Sequence, residues 1–247
     1  MNKFLLLLLA HLIADFPFQT NWVFKMRQKY RWGGWIHILI HTITTTILLT
    51  PYLHHYQTWI VIGIITITHY TIDQMKKPTI WHFFMDQLLH LGVILMCALG
   101  LRGLTTQYIP SPLNYFFLNN NLLMLLIGFF TATFAGTIFI YFIKITWRED
   151  YTNRPILIYE KVSGVLDRGI VYISLMAGIY LNPLYILVAI LPPLIRIVLW
   201  QKRRIEEGHF KDVYFHDIIT SFIYTIAIAV ITFAIIEYIL PHYYSPL

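Results

Sequence analysis

The first hundred residues carry side chains suited to binding a metal ion. Eleven of them are histidine or acidic: His11, Asp15, His37, His41, His54, His55, His69, Asp73, His82, Asp86 and His90. Nine of the eleven have another member four positions away, as 11/15, 37/41, 69/73 and the run 82/86/90. At this density only about two would have such a partner by chance. A spacing of four puts both side chains on one helix face, about 5–6 Å apart at Cβ. Two such groups can share one ion or ligate neighbouring ions. Imidazole with carboxylate suits zinc, iron or manganese, not calcium or magnesium. The candidate ligands are His11, Asp15, His37, His41, His69, Asp73, Asp86 and His90. Asp15, Asp73 and Asp86 are also the candidate general bases. Gln19, Lys77 and Gln87 lie beside these pairs and suit the oriented hydrogen bonds that ligands need. His82 reads as an interfacial residue, and His54 and His55 as solvated loop residues.

These pairs need helices to carry them, and the composition says which kind. The chain has 247 residues, 57% hydrophobic and 12% charged. A soluble domain has about 25% charged residues. Mean hydropathy is +0.62. These values exclude an ordinary soluble enzyme and a disordered chain. A single cysteine, Cys97, excludes an intrachain disulfide and a cysteine metal cage. Eight apolar stretches stand out, at 3–18, 32–51, 58–73, 81–101, 122–143, 165–181, 184–200 and 214–240. The expected fold is therefore all-α, a polytopic membrane helix bundle of about eight spans. Residues 1–101 form one four-helix half and 122–240 the other, joined by a loop at 102–121 with turn formers Pro110, Pro112 and Asn119–Asn121.

Charge orients this arrangement. Fourteen of the eighteen Lys and Arg residues fall in the loops 19–31, 74–80, 144–164 and 201–213. The opposite side has only Lys3 and Arg102. The positive-inside rule then puts the basic loops in the cytoplasm and both termini outside a bacterial inner membrane. It also accounts for the net charge of +6 without a nucleic-acid partner. The seven tryptophans sit near predicted span ends, as interface anchors do. Lys3 and the leucine run after it look like the start of a signal peptide. His11 and Asp15 interrupt that run, and no A-x-A site follows. With this orientation all four pairs lie at one level, towards the cytoplasmic end of the first four spans. The second half is poorer in polar residues. Its Asp167 and Asp217 are expected to pair with Arg168 or Arg196 inside the bundle. One of those arginines, Arg168 or Arg196, is alternatively an anion-binding group for a phosphate.

The motifs resemble a known family. The run from His11 to Thr20 resembles the HLxADFxxQT signature of a bacterial membrane family, the domain of unknown function 3307. His37–His41 resembles its HxxxH, His69–Lys76 its HxxxDxxK, and Asp86–His90 its DQxxH. Gly164–Arg168 resembles a GxLER segment with Asp167 for glutamate, and Arg196 falls where a later arginine stands. The resemblance implies a membrane protein and no particular reaction. A looser likeness, in HxxxD motifs on membrane helices, is to bacterial membrane-bound metal-dependent hydrolases.

The leading expectation is a membrane-embedded metal-dependent hydrolase. A divalent zinc, iron or manganese ion would activate water for attack on a lipid or lipid-linked substrate at the cytoplasmic interface. A desaturase-type iron oxidase is disfavoured because no HxxHH box exists. A transporter is disfavoured because the outer halves of the spans are almost purely apolar. A bis-His haem protein would not need the repeated aspartates. A non-enzymatic protein with a structural His/Asp network is the remaining alternative.

Overall fold

The computed structural model describes all residues except 31, 76–78, 112, 148–157, 208–212 and 241–247. It leaves the side chains of 24, 27, 28, 147, 158–160, 200, 202–207 and 213–216 undescribed as well. Among the described residues there are helices and no strands, so the fold is all-α. The chain divides into two compact units, the first comprising Met1–Ile127 and the second starting at Gly128.

Four helices build the first unit: α1 (Asn2–Asp15), α3 (Gly33–Leu48), α4 (Tyr56–Asp73) and α5 (Ile80–Gly100). α1 packs on α3, α3 on α4, α4 on α5, and α5 back on α1, which closes a four-membered ring. A short helix α2 (Asn21–Lys29) packs on α3 in a stretch expected to be a loop. Its N-terminus is capped by Thr20, whose Oγ1 accepts from the Val23 N–H at 3.3 Å. The 102–121 connection contains α6 (Leu113–Leu118) and leads into α7 (Asn120–Phe130).

The ring is apolar outside and polar inside. On α3 the exposed residues are Leu39, Ile43 and Ile47, while His37, His41, Thr44 and Thr45 are buried. On α5 Leu88, Leu95 and Leu99 face outward, and Asp86, His90, Ile94 and Cys97 inward. An outer surface this apolar is far beyond the patches of a few hundred Å² that soluble monomers tolerate. It is what lipid tails solvate. Threonines fit this setting by bonding to their own helix. Thr44 and Thr68 donate to Ile40 O and Ile64 O at 2.7 Å each, so neither hydroxyl needs water. α1 differs, because Leu5, Leu6, Leu7, Leu9 and Ala10 are all buried. The leucine run that looks like a signal sequence is here a core helix.

Among the described residues four helices are long and apolar enough to cross a membrane: Ile80–Gly100, Asn120–Thr146, Lys161–Tyr180 and Asp217–Ile239. Gly33–Leu48 and the segment Pro183–Leu199 are shorter apolar helices. The difference from eight expected spans is one of length for α1 and α3 and of polarity for α4, which has 18 residues but carries Gln57, His69 and Asp73. At 1.5 Å per residue the 14 residues of α1 rise about 21 Å and the 16 of α3 about 24 Å, against a hydrocarbon core of about 30 Å.

The second unit holds α8 (Gly136–Trp147), α9 (Ile158–Tyr180), α10 (Leu191–Glu207) and α11 (Val213–Ala234). A π turn, Thr131–Ala135, leads into α8. A π turn frees backbone carbonyls, and here buried side chains take them up. The Arg168 guanidinium donates to Thr133 O at 3.0 and 3.3 Å, to Ser221 Oγ at 3.1 Å, and to Thr137 Oγ1. Tyr224 donates to Thr131 O at 3.0 Å. The guanidinium lies against Gly164 and Gly136, where an added Cβ would come within 3.0 and 3.2 Å of its nitrogens. Arg196 pairs with Asp167 as expected. Asp217 instead pairs with Lys144 at 2.6 Å, a residue assigned from sequence to a loop. Arg168 bonds to hydroxyls and a carbonyl, where a carboxylate partner was expected.

Two stability predictions follow from this packing. Leu9→Ala, at a fully buried position, should cost about 2–5 kcal/mol, while Leu39→Ala on the outer face costs under about 1 kcal/mol in detergent. Arg168→Met should cost at least about 1.5–3 kcal/mol, and Arg196→Met, at a partly exposed pair, under about 1 kcal/mol. Thermal unfolding of the purified variants checks both contrasts, and equal losses within either pair would refute it.

Candidate metal centre

All eight expected ligands meet at the centre of the first unit. They arrive in two layers, one residue from each helix of the ring. His11, His41, His69 and His90 form one layer. Their rings touch in sequence, with centroids 3.6 Å apart for His41–His69, 4.3 Å for His69–His90 and 4.7 Å for His90–His11. Asp15, His37, Asp73 and Asp86 form the next layer, each four residues from its partner on the same helix. In α1 and α4 the histidine precedes the aspartate. In α3 and α5 the residue of the aspartate layer comes first. One layer therefore forms only because α1 and α4 run antiparallel to α3 and α5. Every member is buried, with exposure between 0% and 7%.

Asp15 is the hub. Its Oδ1 lies 2.9 Å from His41 Nε2, 3.1 Å from His37 Nε2 and 3.4 Å from His69 Nε2. Its Oδ2 lies 3.5 Å from His11 Nε2. Asp73 Oδ2 lies 3.4 Å from His69 Nε2 and 3.5 Å from His37 Nε2. Asp86 Oδ1 lies 3.3 Å from His90 Nε2, and Asp86 Oδ2 accepts from Gln87 Nε2 at 2.9 Å.

Protons alone do not satisfy this arrangement. One carboxylate oxygen offers about two lone pairs, and three imidazole nitrogens crowd Asp15 Oδ1. His37 Nε2 and His69 Nε2 stand 3.2 Å apart, a contact that holds one hydrogen at most. Nε2 of His11 and of His90 are buried without a hydrogen-bond partner. Donors around an ion at about 2.1 Å are separated by about 3.0 Å in an octahedron and about 3.4 Å in a tetrahedron. The observed spacings span that range. Three groups have donor atoms within 4.8 Å of one another and could hold an ion: His11/Asp15/His41/His69, His37/His69/Asp73 and Asp15/Asp86/His90.

The remaining expected residues are placed as follows. Gln19 is half-buried after α1, one turn beyond Asp15. Lys77 lies outside the described residues. His82 is tied to Thr79, its Nδ1 2.7 Å from Thr79 Oγ1, and stays out of the cluster. His54 and His55 lie at the far end of the unit, where His55 Nε2 contacts Thr105 O at 2.9 Å. Arg168 and Arg196 belong to the second unit.

The sequence reading missed a small crevice of about 10 Å³ against the histidine layer, room for about one water. Leu7, Thr45, Ile65, Thr68, Val93 and Ile94 line it together with His11, His41, His69 and His90. Leu7, Thr45, Ile65 and Ile94 each lie four residues from a histidine, on the side away from the aspartate layer. The same spacing that exposes the pairs in the sequence would have found these four.

No curated protein and no solved structure matches the chain. Residues 3–117 match the family described as "Protein of unknown function (DUF3307)", a segment that contains all eight cluster residues. This part of the chain, which holds the His/Asp centre, is thus similar to the DUF3307 family.

Proposed function

We propose that this protein is a membrane-embedded metal-dependent hydrolase acting on a lipid or lipid-linked substrate. The observation that carries the reading is that the buried Nε2 atoms of His11 and His90 have no hydrogen-bond partner inside a set of five imidazoles and three carboxylates. Burying such groups costs several kcal/mol unless each is matched. Bound zinc, iron or manganese would match them. Such an ion lowers the pKa of a bound water and polarises a carbonyl or phosphoryl oxygen.

In this reading the chain's own residues divide the work. The histidines and Asp15 hold the ion. Asp73 and Asp86 serve as further ligands or as the general base. Gln87 orients Asp86 through its hydrogen bond. The crevice beside the histidines has room for about the one water that such an ion would activate. The inner-membrane setting, with basic loops in the cytoplasm and both termini outside, is part of the same proposal. Its support is the charge asymmetry of the loops together with the apolar outer faces. A hydrogen-bonded network without metal is the competing reading, favoured by the short Asp15–His41 and Asp15–His37 contacts. A transporter is the other alternative.

Elemental mass spectrometry of the protein purified in mild detergent separates these readings. Zinc, iron or manganese should co-purify and vanish from a folded His37→Ala/Asp73→Ala variant. Hydrolysis of lipid esters or phosphates in mixed micelles should then fall by at least about 10²-fold in Asp86→Asn or Asp73→Asn. Absence of metal even after reloading rejects the enzyme reading. For orientation, Tyr108→Cys in a Cys97→Ser background should react with an impermeant thiol reagent on intact cells, and Lys25→Cys only after permeabilisation. The reversed pattern rejects the proposed topology.

A further inference from the structure

We propose that the cluster is a two-metal centre with the Asp15 carboxylate as the bridge. The inference rests on the metal-binding reading above and adds the number of ions and the division of ligands.

Five imidazoles and three carboxylates are too many donors for one ion, since first-row divalent ions take four to six ligands. The donors also fail to form one sphere. Ligands of a single ion at about 2.1 Å lie at most about 4.2 Å apart. Two of the donor groups, Asp15/Asp86/His90 and His37/His69/Asp73, share no member. The third, His11/Asp15/His41/His69, joins them through Asp15 on one side and His69 on the other.

The two oxygens of Asp15 face different histidines. Its Oδ1 lies 3.1 Å from His37 Nε2 and 3.4 Å from His69 Nε2. Its Oδ2 lies 3.5 Å from His11 Nε2, whose ring packs on that of His90. A carboxylate that turns one oxygen to each donor set is placed to bridge two ions about 3.5–4 Å apart. One ion takes Asp73, His37, His69, His41 and Asp15 Oδ1. The other takes Asp86, His90, His11 and Asp15 Oδ2. Of the three buried nitrogens without a hydrogen-bond partner among the described residues, Nε2 of His11 and of His90 fall in the second set, and the third, Nδ1 of His37, is the far ring nitrogen of a first-set residue. A single ion in the first set would leave Nε2 of His11 and of His90 unmatched.

The test is metal stoichiometry on the full chain in detergent, after loading with manganese(II) and removal of excess. The wild type should hold two ions per chain, and His90→Ala one. Low-temperature electron paramagnetic resonance of the loaded wild type should show an exchange-coupled pair, not isolated manganese. That spectrum decides the matter even where His90→Ala fails to fold. One ion per chain with an isolated signal overturns the two-metal proposal and leaves the metalloenzyme reading standing. No ion at all overturns both.

Discussion

Three carboxylates and five imidazoles must be matched inside a bundle whose outer surface is apolar. An unmatched aspartate in such surroundings costs about 2.5–3.5 kcal/mol on insertion scales. The first unit is built around that requirement. Asp15 sits on α1, the helix most enclosed by its neighbours, and draws the Nε2 atoms of His37, His41 and His69 around one oxygen. Those residues come from α3 and α4, and α5 closes the ring with Asp86 and His90. The alternating direction of the helices follows, because it is what brings a His-to-Asp order on two helices level with the reverse order on the other two.

The rest of the first unit adapts to this inverted interior. Leucine and isoleucine move to the outside of α3, α4 and α5, where lipid can solvate them. α1 keeps its leucines because it meets other helices on most sides. Threonine serves where a small polar side chain must lie in an apolar helix, since its hydroxyl returns to its own backbone. Below the histidine layer Leu7, Thr45, Ile65 and Ile94 border a small crevice against the rings.

The second unit meets a similar requirement with a different device. Its buried cation, Arg168, is matched by a carbonyl and two hydroxyls, with a π turn supplying the carbonyl. Two glycines leave space for the guanidinium. The ion pairs Arg196–Asp167 and Lys144–Asp217 lie in less enclosed positions. The arrangement holds helices together and presents no second cluster of metal-binding side chains among the described residues.

The all-helical class and the identity of the eight clustered residues were legible in the sequence. A spacing of four survives in any helix, because 3.6 residues per turn place such pairs on one face whatever surrounds them. Composition was equally direct, because 12% charge is too little to solvate a surface of this size. The helix α2 was hidden by its polarity, and the enclosure of α1 by a leucine run that reads alike for a buried helix, a signal sequence or a membrane span. Pairing depended on tertiary structure. The ring order of the helices decides that Asp15 faces His37 and His41, that Asp217 meets Lys144, and that Arg168 finds hydroxyls. Local spacing sets what one helix can present. Only the packing of four helices decides which oxygen meets which nitrogen, because those contacts join residues far apart in the chain.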